Sequence, residues 1–205
     1  MKRQLEYFTI EGAYGGNQDW FTNIVMHIGG CAAAAACDSC IYFALRKGMD
    51  PLYPYDKEHL TIRDYKAFSM KMKPYLKPRK GGVDRLELYI EGVEKYLQDI
   101  KEEGALRMKP LQGDEDAGKA AAALREQIDR GFPVPFLLLR HKEKKEFEDF
   151  IWHWFMLTGY EEVQGTLYVT AATYGEAAVL DFAQLWNTGL TPKGGMVLYS
   201  IPERK

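Results

Sequence analysis

Three side-chain types spread along this chain would make a cysteine-nucleophile hydrolase if they met in space. They are the amide of Gln18 in Asn17-Gln18-Asp19-Trp20, the thiol of Cys31 after Gly29-Gly30, and the imidazole of His153 in Ile151-Trp152-His153-Trp154. In that chemistry a thiol sulfur attacks a carbonyl carbon while an imidazole takes its proton and later returns it to the leaving group. A side-chain amide, with the backbone N–H of the cysteine, holds the negative charge that builds on the oxygen.

The surroundings of each residue favour its part. Cys31 follows two glycines and precedes five alanines, Ala32–Ala36, which predicts that it opens a helix. Unpaired N–H groups at a helix start favour a thiolate, so a lowered thiol pKa is expected. His153 is the polar exception in the apolar run Phe150–Leu157. In a strand it shares a face with Ile151, Phe155 and Leu157, and a buried imidazole needs a hydrogen-bonding partner. Each residue alone has a plainer reading: a small buried helix cysteine, a core histidine bonded to a carbonyl, a solvated loop amide. His59 and His141 stand in charged segments, and Gly29-Gly30 breaks the helix that would align His27 with Cys31.

A metal centre is the competing use of the cysteines. Cys37 and Cys40 form a CxxC, but a helix advances about 100° per residue, which turns Cys40 away from Cys31. No second CxxC or paired histidine completes four ligands, so no metal and no cofactor is expected. With three cysteines there is no disulfide framework.

The positioning elements follow from periodicity. A loop-rich entrance runs to residue 30, with one short helix expected near Trp20–Met26. The Cys31 helix continues to Lys47 and stops at Gly48. Amphipathic helices are expected over residues 60–73, from Val83 to Leu97, and from Asp114 to Arg130. The character then changes. Residues 133–139, Phe150–Thr158, Leu167–Ala172, Val179–Leu180 and Met196–Ile201 read as strands, with a helical turn at Asp181–Trp186. The charged segment His141–Glu148 reads as an exposed hairpin loop. Helices first and strands last predict an α+β protein: one domain over residues 1–205, mainly helical to residue 130 and mainly sheet from 131.

At 205 residues, with 46% hydrophobic and 27% charged residues, the composition is that of an ordinary globular protein. A net charge of −2 gives no basic footprint, so no nucleic-acid partner is expected. No apolar stretch is long enough to cross a membrane. The start Met1–Phe8 lacks the apolar core and cleavage site of a signal peptide, which makes a cytoplasmic location the expectation. Nothing sets an oligomeric state.

In this order, the three motifs resemble those of the papain-like cysteine peptidases, and more narrowly the branch that includes bacterial double-glycine leader peptidases. That branch pairs a Gly-Cys motif followed by small residues with a His-aromatic strand ending in Gly-Tyr. The matching strings are Gly30-Cys31-Ala32-Ala33 and His153-Trp154-Phe155-Met156-Leu157-Thr158-Gly159-Tyr160, with Gly131-Phe132-Pro133-Val134-Pro135 leading into the first strand. The resemblance runs from about residue 14 to residue 200. It implies a papain-like fold in which the cysteine helix packs on a C-terminal antiparallel sheet. Cys31 would be the nucleophile, His153 the base and acid, and Gln18 the oxyanion donor, acting on a peptide or amide bond by hydrolysis or acyl transfer. Trp20, Trp154 and Tyr174 would line the cleft. One position departs from the pattern. Where the family places an Asn or Asp to orient the imidazole, this chain has Ala172 and Thr173. Thr173 could then orient the ring through its hydroxyl. The same departure suits a relative that binds a peptide or small ligand in the cleft without turning it over.

Overall fold

The computed structural model describes residues 1–78 and 81–202, and it is an α+β fold on a large antiparallel sheet. The chain opens with three short strands, β1 (Lys2–Gln4), β2 (Thr9–Ile10) and β3 (Ala13–Tyr14). A 3-10 turn at Gln18–Trp20 and two helices, α1 (Ile24–Gly29) and α2 (Cys31–Lys47), come next. Helices α3 (Ile62–Met72) and α4 (Leu86–Asp99) lead to β4 (Arg107–Gln112), α5 (Ala117–Asp129) and β5 (Val134–Leu138). The remainder holds β6 (His153–Val163), β7 (Thr166–Thr173), β8 (Glu176–Asp181), α6 (Phe182–Trp186) and β9 (Gly194–Ser200).

The main sheet has the order β4-β9-β5-β6-β7-β8, all neighbours antiparallel. Strand β5 covers only His153–Leu157 of β6, and β1 pairs with the far half, Gly159–Glu161. Two hairpins fix the register of the site-bearing strands. The β6–β7 turn holds Gln164 and Gly165 at φ +50° and +83°, and the β7–β8 turn holds Tyr174 and Gly175 at +50° and +76°. Positive φ at both central residues is the hairpin geometry that matches strand twist.

Helix α2 is apolar nearly all round and crosses β6. Its alanines lose no side-chain entropy on burial and allow close packing, and Gly48 ends it in the left-handed conformation at φ +65°. The two faces of β6 have different neighbours. Trp154 stacks on Tyr89 of α4 with centroids 4.6 Å apart, and Met156 meets Ser39 of α2. On the other face Phe155 stacks on Phe136 at 5.2 Å and meets Phe150 at 5.0 Å.

Several sequence expectations need correction. The helix expected near Trp20–Met26 is two elements, because Asn17 and Asn23 each cap a separate start with their side chains. The helix expected from Val83 begins at Leu86, and the one expected from Asp114 begins at Ala117, where Asp116 caps it. The strand expected from Phe150 begins at His153, after a 3-10 turn at Glu148–Phe150. Strands β1 and β4 interrupt the helices-first order. The loop from His141 to Glu148 is not wholly exposed, since His141 and Phe147 are buried with rings 4.0 Å apart.

Candidate active site

Cys31 is the first residue of α2, and Gly30 makes that start possible. A Cβ on Gly30 would lie 2.4 Å from the Met26 carbonyl oxygen, so only glycine allows the close turn from α1 into α2. The Cys31 sulfur is drawn toward the thiolate by the backbone N–H groups of Trp154, Ala32 and Cys31 itself. Burial outweighs them and raises the thiol above its ordinary pKa. The lowered pKa expected from the helix start is therefore corrected: desolvation exceeds the pull of a few amides.

His153 begins β6 and is buried. Its Nε2 lies 2.7 Å from Thr173 Oγ1, and its ring stacks on Tyr174 with centroids 4.7 Å apart and planes 4° from parallel. Burial lowers its pKa to about 4. At neutral pH the two groups rest as a thiol and a neutral imidazole. Because Thr173 engages Nε2, Nδ1 is the nitrogen left to take a proton.

Gln18 is buried, and its Nε2 donates to the His27 carbonyl oxygen at 2.6 Å. One amide hydrogen remains, and among the described residues its Oε1 has no partner. The segment that carries it is pinned from two sides. Gly16 N–H donates to Asp38 Oδ2 of α2 at 3.1 Å, and a Cβ there would lie 1.9 Å from Tyr65 Oη. Gly16 O accepts from Gly175 N at 3.1 Å, and Asn17 Nδ2 donates to Tyr174 O at 2.9 Å. The same contacts hold Tyr174 against His153.

Gln18, Cys31, His153, Trp154 and Tyr174 line one cavity of about 470 Å³. Trp154 contributes from beneath. Its indole is buried, and its Nε1 donates to Val83 O at 2.6 Å, tying Val83, another lining residue, to β6. Trp20 does not line this cavity. It packs edge-on against Tyr65 at 5.6 Å, because the 3-10 turn that buries Gln18 sends the next-but-one side chain elsewhere. The sequence reading missed Ile28, Trp152 and the Gly81-Gly82-Val83 loop, all lining residues. Trp152 is half exposed and holds φ +54°, an uncommon conformation for a large side chain and one that concentrates at functional sites.

Cys37 and Cys40 are buried, and burial pushes Cys40 up to about 12. Among the described residues no cluster of His, Cys, Asp and Glu is placed to hold a metal, and no helix is long and apolar enough to cross a membrane. No protein-family model, curated protein or solved structure matches the chain.

Proposed function

We propose that the protein is a papain-like thiol hydrolase or acyltransferase acting on a peptide, amide or related acyl bond. The observation that carries this reading is one cavity lined by a helix-opening cysteine and a histidine whose Nε2 is already engaged by Thr173. Cys31 transfers its proton to His153 Nδ1 as its sulfur bonds to the acyl carbon. The remaining hydrogen of Gln18 Nε2 and the Cys31 N–H hold the oxyanion. His153 then gives the proton to the leaving amine or thiol, which departs and leaves a thioester on Cys31. Water or an amine, deprotonated by the same imidazole, attacks that thioester and frees the sulfur, which recovers its proton. No cofactor enters these steps.

The cavity also suggests the character of the acyl group. Among the described residues no lining side chain is charged at neutral pH, and Ile28 and Trp152 stand 77% and 50% exposed. An uncharged, apolar acyl portion would cover both. Wild-type protein and Cys31→Ala should be assayed against apolar and carboxylate-bearing acyl thioesters and peptide amides. Turnover confined to apolar donors and reduced to background in the variant is expected. Turnover undiminished in Cys31→Ala would remove the mechanism. Silence in both proteins, with ligand bound in the cleft, would instead make the protein a degenerate binder.

A further inference from the structure

We infer that Asp38, through one water, is the positioning residue that sets the tautomer of His153. The inference rests on the thiol-enzyme reading above and supplies the carboxylate that the chain lacks next to the imidazole. A cavity of about 20 Å³ lies between α2 and the site-bearing strands, lined among others by Gln18, Asp38, His153 and Thr173. That volume suffices for one water, which needs two to four polar partners.

Hydrogen bonding around the cavity gives a direction to the water. Asp38 Oδ2 accepts from Tyr7 Oη at 2.9 Å and from Gly16 N, while among the described residues Oδ1 accepts only from Tyr65 Oη at 2.8 Å, a hydroxyl that also lies 3.2 Å from Ala34 O. Oδ1 can therefore take another donor. Gln18 Oε1 is a buried acceptor with no partner among the described residues. A water that donates to both can accept only from its third neighbour, the Thr173 hydroxyl. With its hydrogen committed to the water, Thr173 Oγ1 must accept from His153 Nε2–H across their 2.7 Å contact. The imidazole is then the Nε2–H tautomer, and its Nδ1 lone pair is free for the Cys31 proton. Without the chain, the hydroxyl can equally donate to Nε2, which puts the proton on Nδ1 and blocks transfer. Asp38 is otherwise surrounded by neutral groups: Tyr7 and Tyr65 beside it, and His153 across the cavity. Burial pushes its pKa to about 6, so it is mainly ionised at neutral pH and orients donors toward itself.

Nitrogen-15 NMR of His153 at pH 7 reads the tautomer directly, whether or not the protein turns anything over. Wild type is expected to hold the Nε2–H form in at least about tenfold excess, a bias of the order one good hydrogen bond gives. Thr173→Val should bring the ratio down to the modest Nε2–H preference of an unbiased neutral histidine. Asp38→Asn should cut it severalfold, and adding it to Thr173→Val should change nothing further, because both act through one hydroxyl. Ala35→Val, which fills the cavity and leaves Asp38 in place, keeps the test valid should Asp38→Asn fail to fold. It too should bring the ratio down to that unbiased level. A wild-type ratio in folded Ala35→Val, or an Asp38→Asn effect equal in both backgrounds, would overturn the relay. Bias without turnover in any acyl assay would sink the enzyme reading and leave the relay; turnover without bias would do the reverse.

Discussion

Replacing His153 by alanine is expected to lower kcat/KM for an apolar acyl thioester by at least about 10³-fold at pH 7, the scale of losing a general base that works with a nucleophile. The reason lies in the resting state. Burial keeps Cys31 a thiol, so it must lose its proton during attack, and among the described residues of the cavity lining His153 is the one base. Since the imidazole titrates at about 4, the wild-type rate should rise through that pH and then stay level. The variant must wait for spontaneous thiolate, whose fraction grows about tenfold per pH unit below the thiol pKa. Its deficit should therefore shrink steadily in alkaline buffer. A variant rate parallel to wild type across pH would show that His153 is not the base.

Two buried groups should also give the protein an unusual acid response. His153 falls from 6.5 free to about 4 folded, so between these values the unfolded chain takes a proton the folded one refuses. Its contribution is full above pH 6.5 and is lost as pH falls to 4, by about 3 kcal/mol. Asp38 runs the other way, rising from 3.8 to about 6 in the fold. Acidification through that window relieves a buried carboxylate and returns about 3 kcal/mol. The two nearly cancel. From these groups wild type should lose little stability between pH 6.5 and 4, while Asp38→Asn, whatever its stability at pH 7, should lose about 3 kcal/mol over the range. His153→Gln should gain about as much. Urea midpoints across pH test this, and equal slopes in all three proteins would refute it.

Much of the framework was legible because local rules governed it. The alanine run and Gly48 set both ends of α2, and short apolar runs between turn residues marked β5, β7 and β9. Strand β4 was not legible. Arg107-Met108-Lys109-Pro110 is polar and carries a proline, and it is a strand only because β9 supplies a partner at the sheet edge. The site divides in the same way. Cys31 and His153 carry their signal in motif order and Thr173 in the position where the resemblance expects an orienting residue, whereas Trp20 sits on a 3-10 turn whose direction no local pattern in the sequence gives. Asp38 was passed over inside the CxxC. Its one signal was a charged residue on a helix apolar on every side, which demands partners. Those partners, Tyr7, Gly16 and Tyr65, come from three separate segments and meet only in the fold. The thiol pKa was misjudged for a related reason, since burial is a tertiary property and the helix start a local one.

The central claim is that Cys31 carries the acyl group during turnover. Rapid-quench mass spectrometry of wild type with an apolar acyl thioester, fragmented finely enough to separate Cys31, Cys37 and Cys40, tests it most directly. The predicted result is one acyl mass on Cys31 within the first turnover, and none on that timescale in His153→Ala. Acyl groups on Cys40 or on lysines, or equal acylation of Cys31 with and without His153, would contradict it.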